Sequence, residues 1–437
     1  MFRFTERRVA LVARGGVKVV RLLGYCAKLL TERGQAVSMS LGRETLDLYA
    51  ELNRQQQLGF FLGLLDQFSP DPEAVLAAAK RYAEEPSAEC LADLHKLAEP
   101  PRQELLRRLN RAPGGMAAIL RMREHLLQAT REHPKLAVVD WDFRHLLSSW
   151  FNPGFLQIVR VDWRTPAYLL ERIIAHEAVH EIQGWDDLRR RLEYDRRCFA
   201  FFHPALLDEP LIFVEVALVD AMPNTIEPLL NAATAHGDPN RATVAALYSI
   251  NNCQPGLRGV SLGNFLVKQV VEHLSAEFPR LRRFCTLSPI PGFAAWFVAR
   301  VREPVAERPA ALARTLEAIA RDLGGDLSRL MADPAAAPER LKPLRNPLMA
   351  LCATYLLGTG AEPEKTQDPV ARFHLNNGAR LERINWSADD SKRGLRESLG
   401  MMVNYVYEPR AIEANHERFM QGRIVASRQV TSLALVG

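Results

Sequence analysis

The chain lacks most of the features that would assign it at a glance. Its six cysteines, Cys26, Cys90, Cys198, Cys253, Cys285 and Cys352, are scattered through 437 residues with no Cys-x-x-Cys pair. That pattern argues against a disulfide framework and for reduced thiols. No apolar run reaches the ~18 residues needed to cross a bilayer, so a membrane partner is not expected. Neither sign of charge dominates: 56 Lys and Arg face 51 Asp and Glu, a net charge of +5. There is no basic tail, zinc-finger spacing or aromatic-plus-basic motif, so nucleic acid is not an expected partner either. Internal repeats and low-complexity tracts are missing as well. Blocks such as Arg189-Arg190-Arg191 and Arg282-Arg283 therefore read as solvated faces.

What remains is the composition of an ordinary globular protein, 48% hydrophobic and 24% charged. At this length two domains are expected rather than one core. Residues 1–150 read as nearly all helix. The basic, amphipathic start, Met1 to Leu30, loosely resembles a transit peptide but continues into more helical sequence, so it reads as a first domain helix. Breaks at Ser69-Pro70-Asp71-Pro72, Glu99-Pro100-Pro101 and Ala112-Pro113-Gly114-Gly115 separate amphipathic segments. This is a helical bundle without a catalytic constellation, and its expected role is interaction or oligomerisation. The character changes near Trp150-Phe-Asn-Pro-Gly154. In residues 151–437, short β-rich runs (Phe155 to Val161, Cys198 to Phe202, Leu211 to Val219, Ala242 to Ile250, Phe284 to Leu287, Leu381 to Trp386, Met401 to Tyr407) alternate with helical patterns. The fold class is α+β multidomain: an all-α bundle followed by a mixed α/β domain. Ala332 to Pro338 reads as a loop.

Four segments could carry chemistry. In His176-Glu-Ala-Val-His180, two imidazoles at i and i+4 of a helix could bind zinc, with Glu177 as general base and Glu193 or Glu209 as a third ligand. The competing reading is that these histidines cap or pack a helix end. A second segment, Arg258-Gly-Val-Ser-Leu-Gly263, lies between an apparent strand and a helix carrying Leu266, Val267, Val270, Val271 and Leu274. Unsatisfied first-turn amides and the positive end of the helix dipole would suit a pyrophosphate there. The segment departs from the Rossmann and P-loop forms. It is similar to the pyrophosphate loop of GNAT acyltransferases, with Ser261 where that loop normally has its first glycine. A plain helix start is the alternative.

The third segment is Asp368-Pro-Val-Ala-Arg-Phe-His-Leu-Asn-Asn-Gly378. It resembles the late GNAT helix that ends in an aromatic pair before a glycine and a strand; here the pair is Phe373-His374. A histidine at that position could deliver a proton near neutral pH, its reference value being ~6.5. The fourth is Leu287-Ser-Pro-Ile-Pro-Gly-Phe293, directly after a strand. Its prolines stiffen the backbone around Ser288, although Ser-Pro is also a common turn initiator.

Taken together these segments resemble the malonyl-CoA decarboxylase family. The likeness is carried by Glu209-Pro-Leu-Ile-Phe-Val-Glu-Val-Ala-Leu218, Tyr248-Ser-Ile, Gly256-Leu-Arg-Gly-Val-Ser-Leu-Gly-Asn-Phe-Leu266, Leu287 to Phe293, Pro369-Val-Ala-Arg-Phe-His-Leu-Asn-Asn-Gly-Ala379 and Arg383-Ile-Asn-Trp386. It runs from about Trp150 to the C-terminus and is more diffuse before that.

The resemblance implies an oligomerising helical domain (1–150) and a GNAT-like catalytic domain (151–437). It implies a Ser–His pair at Ser288 and His374, with Tyr407 in the same region. It also implies a CoA-binding loop at Arg258, Gly259, Val260, Ser261, Leu262, Gly263 and Asn264. The expected enzyme is a carboxy-lyase that turns malonyl-CoA into acetyl-CoA and CO2 through an enolate. It would need neither metal nor organic cofactor, since the thioester is the electron sink. A cytoplasmic homo-oligomer, dimer or tetramer, is the expected form. Animal relatives have an acidic residue where this chain has Ser261, so no proton role transfers to that position. The alternatives are a CoA-dependent GNAT acyltransferase, a zinc metallopeptidase on His176, Glu177 and His180, and a CoA-sensing scaffold without turnover.

Overall fold

The computed structural model describes residues 2–206, 208–260, 266–304, 310–322, 341–358 and 368–435. The expected Ala332 to Pro338 loop lies outside them. Backbone contacts divide the chain into two units. The first takes Met1–Leu156 with two later segments, His203–Leu207 and Gln254–Leu262; the second takes Gln157–Phe202, Asp208–Cys253 and Gly263–Gly437.

The first unit is helical, and its punctuation follows the sequence. The opening helix, Phe2–Thr31, kinks at Gly16, whose φ is 73°. Asn53 closes a reciprocal capping box with Gln56 at the start of Arg54–Gln67. Asp71 caps Pro72–Glu84, with Pro72 at the first position, where its missing N–H costs nothing. Pro100 and Pro101 separate Ala88–Ala98 from Pro101–Asn110. Two longer helices, Gly115–Glu132 and Ala137–Trp150, follow. Tyr49, Phe60 and Phe61 meet in the core with ring centroids 5.3 to 6.2 Å apart, each buried ring contributing about 1.5–3 kcal/mol. The buried Arg102 guanidinium pairs with Asp142, whose other oxygen accepts from Gln103 at 2.6 Å. A buried ion pair needs such extra donors to offset its desolvation.

The second unit is built on an eight-stranded sheet. Its strands are β1 (Gln157–Val161), β2 (Arg196–Phe202), β3 (Ile212–Val219), β4 (Val244–Asn252), β5 (Arg283–Thr286), β6 (Ser288–Pro289), β7 (Arg380–Asn385) and β8 (Met402–Tyr407). The order is β1-β2-β3-β4-β5-β8-β6, with β7 also on β8. Every pairing is antiparallel except β4 with β5. That parallel pair runs from Val244 opposite Arg283 to Leu247 opposite Thr286, and Leu287 N–H makes one more bond to Leu247 C=O at 3.1 Å. Beyond it the strands part: β4 continues to Asn252, while Ser288 pairs with Val403 of β8. A bulge in the β3–β4 ladder at Glu215/Val216 falls beside the point of parting and bends the sheet there. One parallel pair that splays in an otherwise antiparallel sheet, with helices packed on it, makes this the mixed α/β domain expected after the helical one.

One face of the sheet is covered by Ala167–His176 and Trp185–Arg191, which bury Leu170, Ile173 and Leu188 against Cys198, Ala200, Phe202 and Phe213. The basic block on the second of these helices is not a solvated face. Only Arg189 is exposed; Arg190 is buried on Asp195 at 2.8 Å and Arg191 on Glu215 at 2.6 Å. Asp187 and Asp195 flank the run, and Arg191 bonds Asp187 as well at 3.3 Å; Glu215 lies on β3, and nothing in the run points to it. Arg282 and Arg283 are exposed, as expected.

Candidate active site

Ser288 sits where β4 and β5 part. Pro289 and Pro291 restrict the backbone that follows, and the pairing of Ser288 with Val403 fixes its register beside β8. Strand alternation puts Val403, Tyr405 and Tyr407 of β8 on one face.

His374 comes from the helix Pro369–Asn376. Asp368 caps its start, accepting from Val370 N and Ala371 N at 2.9 and 3.0 Å. Its end is closed by paired bonds from Ala379 N–H to His374 C=O and from Gly378 N–H to Leu375 C=O, a Schellman arrangement that places Gly378 at a φ of 77°. A Cβ on Gly378 would lie 2.1 Å from the Ile412 carbonyl oxygen, so only glycine fits there. The short helix is therefore fixed at both ends, and His374 with it.

The two segments converge. Ser288 Oγ lies 2.9 Å from His374 Nε2 and 2.8 Å from Thr286 Oγ1. His374 Nδ1 lies 2.8 Å from the Tyr407 hydroxyl. Tyr405 stacks on the imidazole, centroids 4.6 Å apart and planes 25° from parallel, and its backbone N–H donates to Thr286 Oγ1 at 3.2 Å. Thr286, Ser288, His374, Tyr405 and Tyr407 are all buried. The result is a row of neutral hydrogen-bonding groups: Thr286, Ser288, His374, Tyr407.

Burial decides the charge state of this row. It drives the His374 imidazole down to about 3, because a buried cation loses its hydration. The same cause pushes the Tyr407 and Tyr405 phenols far up. At neutral pH all three are uncharged. A phenol stands where a serine hydrolase would place a carboxylate, so no fixed anion steadies an imidazolium here. The row suits brief proton transfer better than a long-lived acyl-serine.

Two models describe this chain: a malonyl-CoA decarboxylase N-terminal domain over residues 68–151 and a malonyl-CoA decarboxylase C-terminal domain over residues 154–436. This chain belongs to the malonyl-CoA decarboxylase family. The mitochondrial malonyl-CoA decarboxylase of Mus musculus is 36% identical over 356 residues, covering 76% of this chain and 71% of the relative. Solved malonyl-CoA decarboxylases of Rhodopseudomonas palustris and Agrobacterium vitis are each 45% identical, with TM-scores of 0.86 and 0.85. They cover 95% and 94% of this chain and 99% of each of those chains.

Of the loop expected to hold CoA, Ser261, Leu262, Gly263 and Asn264 lie outside the described residues. Arg258, Gly259 and Val260 belong to the helical unit. Arg258 and Gly259 are exposed, Gly259 has a φ of 76°, and Val260 is buried. The approach to the loop is fixed by the buried Arg123, which pairs with Asp140 at 2.8 Å and donates to the Gly256 carbonyl at 2.7 Å. Gly256 itself lies against Leu120, whose oxygen would be 2.2 Å from an added Cβ.

The metallopeptidase geometry is not formed. The helix ends at His176, so the two histidines do not share a helical face. Glu177 turns back instead. Its Oε1 accepts from the amides of Val179 and His180 at 2.8 Å, and its two oxygens take Ser249 Oγ and Asn251 Nδ2 at 2.7 to 2.9 Å. Those four donors occupy the carboxylate that the zinc reading needed as a base. Glu209 is paired with Arg172 at 3.1 Å. Among the described residues no three His, Cys, Asp or Glu side chains are grouped to hold a metal.

Reading the sequence missed Thr286 and Asp368. Thr286 stands two residues before Ser288, a spacing that puts both hydroxyls on one face of an extended chain; that spacing was the available signal. Asp368 heads the segment that carries His374, but its bond to Gly292, 76 residues away, has no sign in that segment.

Proposed function

We propose that this chain decarboxylates malonyl-CoA at Ser288 and His374. Family membership makes it a carboxy-lyase of the malonyl-CoA decarboxylase type. The assignment of the reacting groups rests on the 2.9 Å contact between Ser288 Oγ and His374 Nε2 at the splayed end of the sheet.

In this reading the bond between the malonyl α-carbon and its carboxylate breaks. The electron pair passes into the thioester as an enolate, CO2 departs, and a proton is added to the α-carbon. Ser288 orients the carboxylate by hydrogen bonding. Backbone amides of β4 beyond Leu247 are the donors for the thioester oxygen, in the manner of an oxyanion hole. The reaction consumes one proton, and His374 supplies it. The imidazole is neutral in the empty site, but an anionic substrate beside it favours the charged form. It therefore takes a proton from solvent as malonyl-CoA binds and passes it to the enolate once CO2 has gone. The thioester serves as the electron sink, without metal or organic cofactor. The loop Arg258 to Asn264 binds the pyrophosphate and pantetheine. We further propose that the helical unit mediates homo-oligomer formation and that the protein works in the cytoplasm.

The test is to incubate purified protein with malonyl-CoA alone, in EDTA, and follow acetyl-CoA and CO2. Equal release of both without any acceptor is expected. Turnover that requires an added amine would favour an acyltransferase.

A further inference from the structure

We infer that Asp368 is a positioning residue that locks the serine-bearing turn to the histidine-bearing helix. The inference rests on the assignment of Ser288 and His374 as the reacting pair. Asp368 is buried, and its two oxygens face different segments. Oδ1 caps the helix of His374 through Val370 N and Ala371 N. Oδ2 accepts from Gly292 N at 3.1 Å and from the Tyr355 hydroxyl at 3.3 Å.

Gly292 closes the Ser288-Pro-Ile-Pro-Gly turn and precedes the helix Phe293–Arg302. One carboxylate therefore grips a point four residues after Ser288 and a point six residues before His374. It fixes the two chain segments whose side chains must meet.

The surroundings are shaped for this grip. A Cβ on Gly292 would lie 2.1 Å from the Tyr355 oxygen and 3.4 Å from Asp368 Oδ2. Only a glycine lets the turn come this close. Tyr355, from the helix Arg345–Leu357, packs its ring on Phe293 and Trp296 with centroids 5.9 and 5.4 Å away. The phenol is thereby held over the carboxylate. Burial pushes the pKa of the Asp368 carboxyl above its ordinary value, and the bonds from Ala371, Gly292, Val370 and Tyr355 oppose that rise. The carboxylate is buried at an energetic disadvantage that its four donors offset in part.

A helix cap alone does not need an aspartate here. Asparagine and serine cap as well as aspartate does. What they cannot do is accept from Gly292 while capping: asparagine would turn an NH2 toward that N–H, and the serine hydroxyl is too short to span to it. Misplacing a reacting group by about 1 Å can cost ~10²-fold in rate.

The experiment compares Asp368→Asn and Asp368→Ser with the unaltered protein, Tyr355→Phe and His374→Asn. Melting temperature and steady-state decarboxylation of malonyl-CoA are both measured. Expected for the two Asp368 variants is a kcat lower by roughly 10–100-fold with KM within about twofold, assayed well below their melting temperatures. Tyr355→Phe leaves the Gly292 bond in place, and its kcat should stay within about threefold. If either soluble Asp368 variant keeps its kcat, the positioning role is overturned. A parallel change in kcat and KM that tracks melting temperature would also overturn it, since that marks a purely structural cap. His374→Asn separates the two layers: full turnover in that variant removes the underlying assignment, whereas lost turnover there with intact Asp368 variants removes only the positioning role.

Discussion

Ser288 Oγ and His374 Nε2 are 2.9 Å apart although 86 residues separate them in the chain. Neither side chain is on a flexible element: one is paired into the sheet and the other is on a helix fixed at both ends. His374→Asn should lower turnover by roughly 10²–10⁴-fold, the range for loss of a general acid. CoA affinity, measured by calorimetry with acetyl-CoA, should be retained. Ser288→Ala should likewise reduce turnover while CoA still binds; loss of CoA affinity would make Ser288 a binding residue instead.

Thr286 accepts from both Ser288 and the Tyr405 amide. Thr286→Val keeps the shape but leaves the Tyr405 N–H buried and unpaired. That should cost about 1–3 kcal/mol of stability, read from denaturant midpoints. It also frees the Ser288 hydroxyl to rotate, so kcat should fall while KM changes little.

Tyr407→Phe removes the bond to His374 Nδ1 and keeps the ring. A typical net hydrogen bond of about 0.5–1.5 kcal/mol corresponds to a loss of roughly two- to tenfold in kcat. A much larger loss would mean that the phenol exchanges a proton during turnover.

Burial holds His374 near 3 and His180 near 4. In the unfolded chain both should titrate near ~6.5. The unfolded state therefore binds protons first as pH falls. The stability tied to these neutral imidazoles is present above about pH 6.5 and is lost as pH drops toward their folded values. Melting temperature should decline through that window. Asparagine does not titrate, so His374→Asn should show a shallower decline than the unaltered protein; identical slopes would argue against a neutral buried imidazole.

Glu177→Gln puts an amide NH2 among the donors that now converge on a carboxylate. Each buried donor left unpaired costs about 1–3 kcal/mol, so the variant should melt well below the unaltered protein. EDTA should leave the activity of the unaltered protein unchanged. Activity that falls with EDTA and returns with zinc would reopen the metal reading of this segment.

How far the sequence could be read depended on range. All seven β-rich runs became strands, with ends displaced by no more than two residues, because short apolar runs mark strands buried on both faces, as β2, β3 and β8 are along almost their whole length. The two-residue β6 was too short to carry a pattern. Ser288 and His374 were legible because the segments that carry them, Leu287 to Phe293 and Pro369 to Ala379, resemble the malonyl-CoA decarboxylase family; their pairing came from that resemblance and not from either segment alone. The charge state of His374 was not legible. The reference value near neutrality fails because desolvation by distant segments sets it. Of the two readings of His176-Glu-Ala-Val-His180, a zinc site and a helix end, the structure has the second, the helix ending at His176. The zinc spacing implied a continuing helix, but the carboxylate of Glu177 captures the next two free amides and the hydroxyl of Ser249, and the helix stops. Arg190 and Arg191 looked solvated although Asp195 stands five residues after Arg190; the burial that β3 and Glu215 impose on Arg191 had no local sign.

The phenol in the place of a carboxylate has a consequence for inhibitors. In the proposed mechanism the uncharged row takes up its proton only when an anion arrives, so loading and proton uptake would be one event. Anionic mimics of the departing carboxylate should bind more weakly as the buffer becomes more alkaline, and each binding event should draw a proton from that buffer. Esters or amides of the same shape carry no such charge, and their affinity should be indifferent to pH.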